Sequence, residues 1–170
     1  MEKIYWTFFQ EGQVRFLLAA TARGLCFTGG LNKELDELVA WAQKKYKQPQ
    51  LIEDASRLQS YYDEFSRFMR GECRDLACPL DVKGTAFQQQ VWDALRDIPY
   101  GEVVSYQWIA NGIGRPTAVR AVGGAIGANP VMIVIPCHRV IGKNGTLTGF
   151  RGGIPMKELL LALEKGKAAL

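Results

Sequence analysis

The chemistry in this sequence concentrates at Ile133-Val134-Ile135-Pro136-Cys137-His138-Arg139-Val140-Ile141, where a β-branched run delivers a cysteine beside the only histidine of the 170 residues. An isolated thiol has a pKa of about 8.5, and an imidazole within reach lowers it or takes its proton. That pairing makes Cys137 a candidate nucleophile and His138 a candidate base. The imidazole in turn needs an orienting carboxylate. Downstream of the pair only Glu158 and Glu164 are available, both in a segment with helical patterning. Spacing alone does not decide the matter. Neighbours along a strand point to opposite faces, and a buried structural cysteine beside a surface histidine is the commoner arrangement.

The other cysteines suggest no chemistry. Cys73 and Cys78 are separated by four residues, with no second pair and no nearby His to complete a zinc site. Cys26 lies in a predicted strand and reads as core. No metal and no cofactor are expected. Four cysteines are also too few for a disulfide scaffold at this length. No apolar run approaches the roughly 20 residues that cross a bilayer. Glu2 and Lys3, with no small-residue cleavage site, argue against a secretory signal. These features predict a cytoplasmic protein with no membrane partner, and a monomer.

The elements that must position the candidate pair fall into two parts, with a boundary at residues 78–84. Ile4–Phe9, Val14–Ala20 and Gly24–Phe27 alternate with turn residues and predict an antiparallel meander. A helix over Lys33–Lys47, capped by Asn32, and a second over Arg57–Met69 follow. From residue 83 the signals are almost all helical. Thr85 and Gln88 form a capping box ahead of the stripe Phe87, Val91, Leu95 and Ile98. Ser105 opens a short helix over Tyr106–Asn111, and after Gly112–Pro116 another runs over Thr117–Gly127, the pattern of a helix-turn-helix. The fold class is therefore α+β: residues 1–82 form a small domain with an antiparallel sheet and helices, and residues 83–170 a mostly helical one.

Two properties of the second part suggest a partner. Residues 1–82 carry a net charge of −1 and residues 83–170 a net of +5, a balance suited to phosphate. Its second short helix is almost bare, with Ala118, Ala121, Gly123, Gly124, Ala125, Gly127 and Ala128, and Arg120 as its only charge. Each interior glycine costs about 0.5–1 kcal/mol against alanine. Such a surface suits close approach, either to a nucleic-acid groove or to another helix.

These residues also carry a family resemblance. Pro136-Cys137-His138-Arg139-Val140, with Asn129-Pro130 before it and Gly149-Phe150-Arg151-Gly152-Gly153 after it, resembles the O6-alkylguanine-DNA alkyltransferases. The likeness runs from about Gly84 to Glu164, through Tyr100–Tyr106 and Arg120–Ala125. It implies DNA repair by a methylated-DNA–protein-cysteine methyltransferase, which moves the alkyl group of O6-alkylguanine irreversibly to an internal cysteine, with O4-alkylthymine left open as a second substrate. The partner implied is double-stranded DNA containing O6-alkylguanine. Cys137 would be the acceptor, His138 the base acting through a water, and Glu164 the group that orients His138. Asn129 would sit at the junction of recognition helix and active-site strand. Tyr106 would help extrude the nucleotide and hydrogen-bond its purine ring, and Arg120 would fill the vacated stack. Ser105, Ala121, Gly123 and Gly124 would face DNA, the bare helix lying in the minor groove, because the target atom must be flipped out of the duplex to react. Met132, Val140, Gly149, Phe150 and Arg151 would line the pocket.

Phe150 replaces the tyrosine common in the family, and Met132 a proline found in some members; both bear on substrate range. Three alternatives are weaker. A lesion-recognition protein of the alkyltransferase-like branch would carry another residue in place of Cys137. A helix-turn-helix transcription regulator would need more base-reading side chains than one arginine. A Cys–His hydrolase would need an oxyanion motif, and none is recognisable.

Overall fold

The computed structural model describes residues 1–166; residues 167–170, the end of the expected second domain, lie outside the described residues. The fold is α+β, and the chain divides into two compact units, one of Met1–Val82 and one beginning at Lys83.

In the first unit β1 (Glu2–Glu11), β2 (Val14–Ala20) and β3 (Leu25–Thr28) are consecutive antiparallel neighbours. The sheet is nevertheless mixed rather than antiparallel throughout. A fourth strand, β4 (Pro49–Glu53), pairs parallel with β1, giving the order β3-β2-β1-β4. The sequence Pro-Gln-Leu-Ile-Glu is too short and too polar to announce a strand; β4 forms because α1 (Leu35–Lys45) carries the chain back across the sheet to the free edge of β1. The helix also begins later than predicted. Asn32 does not cap it but adopts a left-handed turn conformation (φ 58°), and Glu34 occupies the cap position without a side-chain capping bond to the helix.

Both faces of this sheet are covered, which explains why β2 is apolar almost throughout. Ile4, Trp6, Leu17, Ala19, Cys26 and Phe27 pack with Leu38 and Ala42 of α1. On the other face Phe9 and Phe16 meet Phe65 of α2 (Gln59–Met69), with ring centroids 4.9–6.1 Å apart. The segment after α2 returns to the sheet, where Leu25 N donates to Pro79 O (2.9 Å) and Asp81 N to Leu25 O (2.9 Å).

The second unit starts with α3 (Ala86–Arg96), held by the reciprocal Thr85–Gln88 capping box. The strand β5 (Val104–Ser105), α4 (Tyr106–Gly112) and α5 (Val119–Gly127) follow. Val91, Trp92, Leu95, Ile109, Ala110, Val122 and Ile126 form its core, and Trp92 Nε1 donates to Ala125 O at 2.8 Å. Ser105 has two local roles. It ends β5, which pairs parallel with β6 (Val140–Ile141), and its hydroxyl caps α4 by accepting from Trp108 N at 3.1 Å. The helix bearing Tyr106 is thereby registered against the strand that leaves Cys137. The last helix, α6 (Ile154–Glu164), follows Gly153, whose φ of 95° suits glycine.

The predicted strand through Cys137 does not form. Val131–Ile135 closes a turn, with Ile135 N donating to Val131 O (3.1 Å), and Cys137–Arg139 is one turn of 3-10 helix. Pro136 sits at φ −80° and ψ 63° with Cys137 N on Ile135 O at 2.8 Å, an inverse γ-turn. Only Val140 and Ile141 are strand.

Gly24 gives a test of the first unit. A Cβ there would stand 2.7–2.8 Å from backbone atoms of Pro79 and Leu80, and backbone cannot move aside as a flexible side chain can. Gly24→Ala should destabilise the protein by about 1–3 kcal/mol, measured by urea denaturation; an unchanged midpoint would show that the Pro79–Leu80 segment is not seated on β3 in solution.

Candidate active site

Cys137, His138 and Arg139 are all buried although they lie in an irregular segment, so every polar atom there must find a partner inside the protein. Asn129 provides much of the framework. Buried directly after α5, it donates from Nδ2 to Ile135 O (2.8 Å) and accepts at Oδ1 from Val131 N (3.0 Å), clamping both ends of the turn that leads to Cys137. Within that turn Ile133 has φ 78°. A β-branched residue in the left-handed region stores strain of about 1–3 kcal/mol and persists only where the surroundings enforce it.

His138 is fully buried, which removes the surface-histidine alternative. Its Nε2 lies 2.6 Å from Glu164 Oε2. Arg139 grips the same carboxylate with two bonds, Nε to Oε1 at 2.8 Å and one terminal nitrogen to Oε2 at 2.9 Å, and its other terminal nitrogen donates to Ile98 O at 2.8 Å. Gly101 N adds a fourth bond, to Oε1 at 3.2 Å. The carboxylate of Glu164 therefore accepts from three different residues. Burial pushes its pKa up, but the bonds from His138 and Arg139 outweigh that and hold it at about 2. An ionised carboxylate is an acceptor only, so the proton of the shared bond belongs to His138 Nε2. The basic lone pair then lies on Nδ1, which is buried and has no hydrogen-bond partner among the described residues. Burial lowers the imidazole pKa against the opposing pull of Glu164. The imidazole is therefore neutral at pH 7 and able to accept a proton.

Burial likewise raises the Cys137 thiol, while the Asn129 side chain, Arg151 and Lys157 pull the other way. Lys157 is itself buried on α6, with Nζ on Val140 O at 2.6 Å. Arg151 donates to Asn129 O (3.2 Å) and Pro130 O (3.1 Å). Met132 and Phe150 come together around Gly152, where a Cβ would stand 3.2 Å from Met132 Sδ and 2.6 Å from Phe150 Cε2. Gly149 has open space around it, and Val140 is fully buried. Tyr106 is half-buried, its hydroxyl 2.7 Å from Thr148 Oγ1.

The bare helix faces outward. Arg120, Ala121, Gly124 and Gly127 are exposed on one stripe of α5, while Val122, Ala125 and Ile126 face the core. A Cβ on Gly124 or Gly127 would meet nothing within 4 Å, and on Gly123 only the Tyr106 ring at 3.9 Å. Tight helix–helix packing is therefore not what these glycines serve.

Sequence reasoning missed Arg139 and Lys157 as parts of the site. A signal existed for the first: an arginine directly after the lone histidine, with only two carboxylates downstream to serve both. Nothing local marks Lys157, whose burial depends on how α6 packs.

Residues 86–166 match the family described as 6-O-methylguanine DNA methyltransferase, DNA binding domain. Over 162 residues the chain is 50% identical to the inducible methylated-DNA–protein-cysteine methyltransferase of Bacillus subtilis, covering 95% of this chain and 90% of that one. It is 39% identical over 163 residues to a methylated-DNA–protein-cysteine methyltransferase of Methanosarcina acetivorans, covering 95% and 98% of the two. Among solved structures it is similar to Mycobacterium tuberculosis OGT in complex with DNA, with a TM-score of 0.83 and 38% identity over 97% of this chain and 95% of that one.

The electrostatics of the cluster predict acid sensitivity in two windows. A histidine whose folded pKa is depressed disfavours folding once pH falls below the unfolded value of 6.5. A carboxylate at about 2 contributes stability that is complete above 4.5 and lost as pH falls between those values. Glu164→Gln strands a buried arginine and should cost about 3–5 kcal/mol at pH 7. The difference in Tm between wild type and this variant should be fully present above pH 4.5 and shrink as pH is lowered from 4.5 toward 2; a constant difference across that window would contradict the assignment of charge to Glu164.

Proposed function

The chain belongs to the methylated-DNA–protein-cysteine methyltransferase family, and from that membership we propose that it repairs duplex DNA by taking the alkyl group of O6-alkylguanine onto Cys137. In the reaction the Cys137 proton passes through a water to His138 Nδ1. The thiolate attacks the alkyl carbon in line with the C–O6 bond. The S–C bond forms as the C–O6 bond breaks, the electron pair returns to the purine, and the purine takes up one proton to become guanine. The thioether has no route back to thiol, so each molecule acts once. The observation that carries this reading is the His138 arrangement: Nε2 is fixed on an ionised Glu164 at 2.6 Å while Nδ1, one residue from the thiol, is buried without a partner among the described residues.

The remaining assignments follow from the same reading. Residues 1–82 form an N-terminal domain, and residues 83–170 hold both the acceptor and the DNA surface. The helices α4 and α5 act as a helix-turn-helix, with the bare stripe of Ala121 and Gly124 against the minor groove, Gly123 and Ser105 beside it, and Arg120 reaching into the stack. The gap between the helices is closed by Gln107, which donates to Pro116 O at 2.8 Å. Tyr106 aids extrusion of the nucleotide, and the flipped base rests against Met132, Gly149, Phe150 and Arg151, with Val140 behind Cys137. Asn129 positions Cys137 rather than reacting. O4-alkylthymine, which presents the same alkoxy group, is a second substrate to test. The protein acts as a monomer in the cytoplasm, and no described helix is long and apolar enough to cross a membrane.

Four cysteines make the central test a choice among sites. With excess O6-methylguanine duplex, intact mass should rise by one methyl group and stop, and peptide mapping should place it on Cys137. Cys137→Ser should bind the duplex but not react, because a hydroxyl is far harder to ionise than a thiol. A methyl group on Cys26, Cys73 or Cys78, or repeated turnover, would overturn the proposal.

The open stripe of α5 gives a second test. Gly124→Ala should stabilise the free protein by about 0.5–1 kcal/mol, since the site is helical and has room. The same methyl group should weaken binding to duplex DNA. If stability rises and affinity is unchanged, α5 does not lie against the duplex.

A further inference from the structure

The loop after β6 meets Tyr106 through a hydrogen bond. Gly142 N donates to Thr146 O at 2.8 Å, and Thr146 Oγ1 donates to Lys143 O at 3.1 Å, closing a tight turn over residues 142–146. Its backbone reverses through Asn144 (φ 65°) and Gly145 (φ 75°). The turn seats Thr148: a Cβ on Gly142 would stand 2.9 Å from Thr148 Cγ2, so the absence of a side chain there lets Thr148 approach. Thr148 Oγ1 then lies 2.7 Å from the Tyr106 hydroxyl. The ring of Tyr106 is bounded on another side by Gly123, where a Cβ would be 3.9 Å away. The phenol thus has a fixed ring and one fixed hydroxyl contact.

A phenolic oxygen can accept one hydrogen bond while donating its own proton, and a threonine hydroxyl can do the same. We propose that Thr148 is a positioning residue for the transfer, its hydroxyl donating to the Tyr106 oxygen so that the phenolic proton is left to point at the flipped base. A hydroxyl that accepts one bond becomes a better donor in the next, so the chain Thr148 to Tyr106 to purine nitrogen strengthens the contact that stabilises the departing base. This inference rests on the reading of Tyr106 as a residue that contacts the extruded nucleotide. It assigns to the loop after Cys137 the task of aiming a group that α4 carries.

The experiment compares single-turnover transfer from O6-methylguanine duplex in four variants: Thr148→Val, Thr148→Ser, Tyr106→Phe, and the double variant Tyr106→Phe with Thr148→Val. Valine keeps the shape and removes the hydroxyl, and should slow transfer by about 3- to 10-fold, the effect of one neutral hydrogen bond. Serine restores the hydroxyl without the methyl and should come within about twofold of wild type on the same scale. In the double variant the threonine substitution should add nothing to the slowing by Tyr106→Phe, because its only route of action is gone. Wild-type rates for Thr148→Val, a Thr148→Ser variant as slow as the valine, or multiplied effects in the double variant would each overturn the role of Thr148. A Tyr106→Phe variant that reacts at the wild-type rate would instead remove the reading of the Tyr106 hydroxyl on which the inference stands.

Discussion

The architecture of the second unit turns on one buried carboxylate. Glu164 cannot be ionised inside a protein unless its charge is matched and its lone pairs are occupied. Here Arg139 supplies the charge with two bonds, and His138 and Gly101 take the remaining positions. The bonds join three parts of the chain: the 3-10 turn after Pro136, which bears both His138 and Arg139, the turn after Pro99, which bears Gly101, and the end of α6, where Glu164 itself stands. Arg139 extends the set to the segment just after α3 through Ile98 O. The ion pair therefore assembles the segments and tempers the pull of Glu164 on an imidazole that burial above all keeps neutral. Arg139 balances Glu164, so the carboxylate holds the histidine without pulling a second proton onto it, and a neutral imidazole is what a base must be. It follows that substitutions at Glu164 do not isolate the orienting of His138, because each also strands Arg139.

The cysteine is placed by backbone rather than by side-chain packing. A regular strand through Cys137 would put Cys137 and His138 on opposite faces; the 3-10 turn removes that geometry. The turn before it, Val131–Ile135, carries strain at Ile133, with φ 78°, and Asn129 holds that turn closed from both ends. Burial keeps the thiol protonated at rest. In the reaction proposed above this suits an acceptor that reacts only once, since an exposed thiolate would be spent on any electrophile.

What the sequence made legible and what it did not divide along the range of the interactions. The capping box at Thr85 and Gln88 and the cap at Ser105 rest on residues within a few positions of one another and are found as read. Val91 and Leu95 of the apolar stripe are buried on α3, although the helix stops at Arg96, short of Ile98, and Phe87 is only half-buried. The strand β4, the start of α1 and the turn at Cys137 depend on partners outside the local window, and there local pattern misled. The β-branched run Ile133-Val134-Ile135 reads as strand because its clamping by the Asn129 side chain has no signature in hydrophobic pattern. The lone cysteine–histidine pair was visible from residue types alone, but its meaning came from the resemblance. Arg139 stood in the quoted motif without a role because a salt bridge to a residue 25 positions on leaves no trace in spacing.

The bare face of α5 shows how stability and function pull apart. Interior glycines loosen a helix, and nothing in the unit's packing asks for them: beyond Gly124 and Gly127 there is open space. The inward side of the same helix is conventional, with Val122 and Ile126 in the core and the Ala125 carbonyl taking the Trp92 indole proton. Two faces of one nine-residue element thus answer to different demands. The inner face holds α5 against α3, and the outer face is kept flat at a cost in helix stability. In the reading proposed above that flatness lets the helix backbone approach a groove too narrow for larger side chains. The exposed Arg120 at its start is then the one group on that face long enough to reach past the surface.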